Sequence, residues 1–296
     1  MSILALLAFT VGSLLTLPDA FAPPGPGAPG SAGSSTELRP YDLQVPKSYD
    51  EAEPAPLVVL LHGYDSDGPA HKEYFKLAPV AEREGFLLAS PNGTVDRMGN
   101  RFWNATNACC DFFGSGVDDV AYLDDVIEEI TAGYNVDDDR VYLVGHSNGG
   151  FMSHRYACDR PGTVAAIVSL AGMQWDDPER CGPSEDVSVL QVHGNEDELA
   201  RYEGGPSPGG PYPGAEETVG TWAEKNGCSG TLEPGGPNID IDTDIPGPET
   251  TVARYGGCDD TTVELWTIEG GKHSPAFDQR WPDAFWAFMS ANPKDG

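Results

Sequence analysis

Two short apolar runs constrain this 296-residue chain more than any other feature. Pro56–Leu61 reads Pro-Leu-Val-Val-Leu-Leu and Arg140–Gly145 reads Arg-Val-Tyr-Leu-Val-Gly; Val164–Leu170 and Val187–Val192, which carry Ser169, Ser188 and Gln191, are two further expected strands. A strand with one wet face alternates apolar and polar residues, so uninterrupted runs mark strands buried on both faces. Between and around them lie stretches with helical spacing: His71–Glu84, Asn148–Ala157, Glu216–Lys225 and Phe277–Met289. Val117–Tyr134 places Val117, Val120, Tyr122, Leu123, Val126, Ile127 and Ile130 on one face and acids on the other. Lesser strands are expected at Leu38–Val45, Phe86–Ala89, Thr251–Tyr255 and Thr262–Thr267. Buried strands alternating with helices imply an α/β fold, a mostly parallel central sheet covered by helices on both faces.

The ends and the charge narrow the setting. Ile3–Leu17 is an uncharged apolar run too short to span a bilayer, and it ends at Ala20-Phe21-Ala22, a small-x-small cleavage pattern. Residues 1–22 are read as a signal peptide, 23–36 as a Pro/Gly/Ser-rich linker and 37–296 as one catalytic domain. Lys and Arg number 17 against 47 Asp and Glu, a formal charge of −30. That excludes nucleic acid and anionic membrane as natural partners, since both need a basic surface. Export permits disulfides, and the six Cys, at 109, 110, 158, 181, 228 and 258, lack zinc-ligand spacing. Their pairing stays open at this point, with fifteen possible schemes.

Chemistry enters at Gly145-His146-Ser147-Asn148-Gly149, which follows a buried strand and opens a helix. Gly-x-Ser-x-Gly in that setting is a nucleophile elbow, a tight turn that lifts the serine hydroxyl clear of the backbone. A serine needs a base. Of six His, His62 and His193 end buried strands as loop-ordering residues, His71 and His154 lie in helices, and His146 is inside the elbow. His273 follows the last strand, where loops of open α/β sheets carry catalysis, and is the expected base. Asp197, just past the strand ending at His193-Gly194, is the expected acid, with Glu196 and Asp242 as rivals. The order Ser147, Asp197, His273 is that of an α/β-hydrolase triad. The N–H groups of Asn148 and Tyr64 are the candidate oxyanion donors. Tyr64, Trp103 and Trp175 could offer ring faces to a substrate. Asp240-Ile241-Asp242-Thr243-Asp244 lacks the Gly and Glu of a calcium loop and is read as a solvated acidic loop, so no metal site is expected.

Leu61-His62-Gly63-Tyr64, Gly145-His146-Ser147-Asn148-Gly149-Gly150, His193-Gly194 with Asp197, and Gly270-Gly271 with His273 resemble the secreted polyhydroxybutyrate-depolymerase/feruloyl-esterase group of α/β-hydrolases. Val117-Asp118-Asp119-Val120, Tyr134-Asn135-Val136-Asp137 and Arg140-Val141-Tyr142 match it too. The resemblance spans about residues 38–290 and implies serine hydrolysis of carboxylic esters without metal; a monomer with no cofactor is expected. It implies bridges Cys228–Cys258 and Cys158–Cys181, with Cys109 and Cys110 either joined to each other or left as thiols. The group acts on polyesters, hydroxycinnamoyl or acetyl sugar esters, and small aryl esters. Polyhydroxybutyrate-type polyester is the first expectation and feruloyl or acetyl xylan esters the second. A serine peptidase or a non-catalytic binding protein are the remaining classes. The sequence shows no insertion long enough for a lid, so an open cleft and short-acyl preference are expected.

Overall fold

The computed structural model describes residues 35–182, 187–258 and 260–294. The expected leader, and the linker up to residue 34, lie outside these residues; the linker's last two residues open a short helix, α1 (Ser35–Leu38). The strands are β1 (Asp42–Gln44), β2 (Ala55–Leu61), β3 (Leu87–Ser90), β4 (Thr94–Val95), β5 (Arg101–Phe102), β6 (Val136–His146), β7 (Ala166–Leu170), β8 (Ser188–Gly194), β9 (Gly205–Ser207), β10 (Gly210–Tyr212), β11 (Leu232–Pro234), β12 (Thr250–Tyr255) and β13 (Val263–Ile268). The remaining helices are α2 (Gly68–Phe75), α3 (Leu77–Glu84), α4 (Asp119–Gly133), α5 (Asn148–Asp159), α6 (Ala215–Lys225) and α7 (Arg280–Ser290).

Nine strands form one sheet in the order β1-β3-β2-β6-β7-β8-β13-β12-β11. The stretch from β3 to β13 is parallel throughout, and β1, β12 and β11 extend it antiparallel at the two edges. Every residue of β2 is buried. Leu57, Val59 and Leu61 pack with Val126, Phe151 and Trp222 of α4, α5 and α6. Val58 and Leu60 pack with Phe75, Val80 and Phe285 of α2, α3 and α7. Strand periodicity sends successive residues to opposite faces, so an all-apolar strand feeds two cores at once.

Three expectations need correction. The helix expected over His71–Glu84 is two helices, α2 and α3, parted at Lys76, whose φ of 53° is left-handed. The acidic loop is not solvated throughout: Asp242 is buried, and its Oδ1 accepts the N–H groups of Asp244 (3.0 Å) and Ala276 (3.2 Å). That carboxylate ties its own turn to the segment leading into α7, while Asp240 pairs with Arg280 at 2.6 Å. Hairpins β4–β5 and β9–β10 stand where only loops were expected. The Cys158–Cys181 and Cys228–Cys258 bridges are present, and Cys109 is joined to Cys110.

Candidate active site

Ser147 sits between β6 and α5 with φ 53° and ψ −120°, a conformation that costs a non-glycine residue energy and persists only where the surroundings impose it. Its N–H donates to Leu170 O at 2.8 Å, which holds the turn against β7. The flanking glycines are required by close approach. A Cβ on Gly145 would lie 2.1 Å from Gly149 O, and one on Gly149 would lie 2.2 Å from Leu61 O. The motif therefore packs helix, turn and neighbouring strand at backbone distance.

His273 follows β13, and Asp197 follows β8 beside it in the sheet. His273 Nδ1–H donates to Asp197 Oδ2 at 2.7 Å. Asp197 Oδ1 accepts the N–H groups of Leu199 (2.8 Å) and Ala200 (2.9 Å). Burial alone would raise the Asp197 pKa. Hydrogen bonds from His193 and His273, the nearby His273 charge and the Ala200 N–H outweigh it and hold the carboxyl well below the usual range. Glu196 is exposed and Asp242 is engaged elsewhere, so Asp197 is the carboxylate brought to His273. His146 donates from Nε2 to His273 O at 2.9 Å and fixes the loop that carries this ring. Burial, then the neighbouring His273, pushes the His146 pKa down to about 3, so it acts as a neutral donor.

The proposed oxyanion donors face no competing acceptor. Among the described residues the N–H groups of Tyr64 and Asn148 have no protein partner, whereas the Gly63 N–H donates to His71 Nε2 at 3.1 Å. His62 orders the same loop: Nδ1–H donates to Gly63 O at 2.7 Å, and Nε2 accepts the Gly93 N–H at 2.9 Å. The Asn148 amide accepts the Trp103 N–H at 2.7 Å and donates to Trp103 O at 2.9 Å, clamping the β5 end against the elbow.

Ser147 and His273 line a pocket of about 290 Å³ whose walls are mostly apolar. Tyr64, Phe112, Phe151, Leu199, Tyr212 and the bridged Cys109–Cys110 pair form it. The Tyr64 hydroxyl is held away from the serine by donating to Asp96 Oδ2 at 2.6 Å, and its ring meets Phe112 edge-on. Neither tryptophan expected to face a substrate lines the Ser147 pocket. Trp103 is fully buried, with Nε1–H donating to His62 O at 3.0 Å, so it is core. Trp175 does not line the Ser147 pocket; its ring is 8% exposed and lies 4.2 Å beneath the Arg180 guanidinium. Sequence reasoning missed Phe112 and Phe151, whereas Leu199 and Tyr212 belong to the Gly/Pro-rich Leu199–Ala215 stretch, the longest expected loop and one expected to rim the site without covering it. Among the described residues no group of three or more His, Cys, Asp or Glu could hold a metal ion, and no helix is long and apolar enough to cross a membrane.

A mostly parallel sheet with a serine elbow after one strand, and an acid and a histidine after two others, defines an α/β-hydrolase. The chain belongs to the sequence family described as "Putative esterase", which matches residues 36–208. It is 28% identical over 241 residues to feruloyl esterase B of Piromyces equi, covering 78% of this chain and 42% of that protein. The chain thus spans less than half of that relative's length. It is 24% identical over 252 residues to feruloyl esterase D of Neurospora crassa, covering 80% and 74%. Among solved structures it superposes on an acetyl xylan esterase from Aspergillus awamori with a TM-score of 0.62, at 16% identity, over 84% of this chain and 93% of that one. At that identity the likeness concerns the fold.

Proposed function

We propose that the chain is a secreted serine esterase. The observation that carries this is the shared pocket: Ser147, held in a strained elbow, lines it together with His273, whose far nitrogen is bonded to Asp197. In this reading Ser147 Oγ attacks the ester carbonyl carbon and His273 takes its proton. Asp197 keeps the His273 proton on Nδ1, leaving Nε2 as the base, and stabilises the imidazolium that forms. The N–H groups of Asn148 and Tyr64 receive the charge on the carbonyl oxygen. His273 then protonates the departing alcohol, leaving an acyl-Ser147. Water, deprotonated by His273, attacks that ester and releases the acid.

The pocket is small and apolar, which suits an acetyl, butyryl or single aryl acyl group and not a long chain. The names of the feruloyl and acetyl xylan esterase relatives favour hydroxycinnamoyl or acetyl esters of plant polysaccharide, ahead of polyhydroxybutyrate-type polyester. The polyester reading keeps support from Leu199 and Phe112, 76% and 45% exposed at the pocket mouth, where an apolar polymer could lie. Three disulfides support export, and the extents given above, 1–22 leader, 23–36 linker and 37–296 catalytic domain in a monomer, belong to the same proposal.

The test is a substrate panel: butyrate, palmitate and ferulate esters, a matched anilide, and a dispersed polyester film. Hydrolysis of butyrate or ferulate with little action on palmitate or anilide is expected. A palmitate preference would overturn the small-pocket argument, and anilide cleavage alone would make the chain a peptidase.

A further inference from the structure

Beside the Ser147 pocket lies a second one of about 380 Å³. The two share Phe112 and Pro208, so they are neighbours across a single wall. Their linings differ in kind. The first is mostly apolar; the second carries Asn104, Asn107, Thr106, Arg155 and Arg180 around Trp175. From this juxtaposition we propose that the second pocket is the subsite for the alcohol half of the ester, and that this alcohol is a sugar. The inference rests on the esterase reading above.

The charged side chains lining this pocket are Asp111, Arg155 and Arg180, and they differ in what holds them. Asp111, also at its edge, spends both carboxylate oxygens on the backbone N–H groups of Ser115 and Gly116, each at 2.8 Å. Arg155 is fixed as wall: it donates to Asn104 O and Ala105 O and pairs with Asp159 at 3.3 Å. Arg180 meets no carboxylate among the described residues, although the chain holds 47 acids and only 17 Lys and Arg. Its guanidinium lies over the Trp175 ring, which fixes its plane and leaves its N–H groups as donors. The Asn104 amide nitrogen donates to Val117 O at 2.8 Å, which leaves its Oδ1 as an acceptor. Asn107 adds a second amide with no bonded partner among the described residues.

Donors and acceptors interleaved at close quarters match vicinal hydroxyls, each of which gives and takes a hydrogen bond. They do not match the next unit of a polyester, which offers carbonyl acceptors and methyl groups and would leave the amide and hydroxyl acceptors unpaired. Trp175 serves by holding Arg180, and the sugar is recognised at its hydroxyls rather than by stacking on that ring.

The experiment compares matched esters of one acid: methyl against L-arabinosyl ferulate, and ethyl acetate against acetylated xylobiose. The wild-type enzyme is expected to favour the sugar ester in kcat/KM by at least about tenfold in one pair. Arg180→Ala and Asn107→Ala should erase most of that preference while the methyl or ethyl ester changes less than about twofold; Arg180→Lys should restore part of it. Hydrolysis of the simple esters with no sugar preference, or equal losses on both members of a pair, would overturn the subsite while leaving the esterase reading standing. Failure to hydrolyse any of the four esters would overturn both.

Discussion

Trp222 Nε1–H donates to His154 Nδ1 at 2.9 Å, and that one bond sets the proton positions along a buried chain ending beside Asp197. Indole can only donate, so His154 must carry its proton on Nε2, which donates to Gln191 Oε1 at 2.9 Å. The Gln191 amide then donates to His193 Nδ1 at 3.2 Å, and His193 Nε2–H donates to Ala200 O at 2.6 Å while standing 3.4 Å from Asp197 Oδ2. The loop presenting the acid is thus held by groups on α6, α5 and β8. Trp222→Phe keeps the ring bulk and removes the first donor. It is expected to lower kcat up to about tenfold with KM little changed, because the His193–Ala200 bond loses its fixed tautomer. An unchanged kcat would show that the chain is packing alone.

The acid itself separates two neighbours. Asp197→Asn should reduce kcat by roughly 10³–10⁴-fold with the fold intact, since the amide cannot hold the required His273 tautomer. Glu196→Ala, an exposed site, should change kcat less than about twofold. The reverse pattern in steady-state kinetics would reassign the acid.

Four buried histidines make stability pH-dependent. Burial first of all lowers His62 and His154 to about 4 and His71 and His146 to about 3. Below about pH 6.5 the unfolded chain takes up protons that the folded chain refuses, so stability falls with pH. The loss runs from about pH 6.5 down to about 4, where the folded protein begins to take up the same protons. Each group contributes at most about 1.4 kcal/mol per pH unit, so the four together steepen the decline by no more than about 5.5 kcal/mol per pH unit. Asp197, held low, loses its own contribution only below about pH 4. Denaturant melts at pH 7, 6, 5 and 4.5 should show this decline; a flat profile to pH 4.5 would contradict it.

The disulfides give a separate test. Cys228–Cys258 closes a 30-residue separation, and the chain-entropy estimate for such a loop is about 3–4 kcal/mol. The Cys228→Ala/Cys258→Ala variant should lose a comparable amount in equilibrium unfolding. Thiol titration of the unfolded protein should find none without reductant and six after it. Thiols reactive without reductant would contradict the bridged state.

Strand β2 was legible because burial on both faces leaves an unbroken apolar run, and the elbow because its glycines are demanded by backbone contacts. The break at Lys76 was not, since the apolar pattern continues from Phe75 to Leu77 and one left-handed residue leaves no compositional trace. Hairpins with strands of two or three residues are too short for periodicity to register. Trp103 read as a loop aromatic because the chain around it is irregular; its burial comes from the Asn148 clamp 45 residues away. Trp175 lies not in the Ser147 pocket but in the one beside it, its ring beneath Arg180. The Cys109-Cys110 pair was conspicuous in sequence, but its place in the pocket wall follows from tertiary packing.

The acyl-enzyme at Ser147 is tested most directly by mass spectrometry of protein treated with a fluorophosphonate ester, then digested and mapped. The account predicts one adduct, on the peptide containing Ser147, absent in Ser147→Ala and slowed at least a hundredfold in a His273→Ala variant that still folds. An adduct on another residue, or labelling of Ser147→Ala at the wild-type rate, would contradict it.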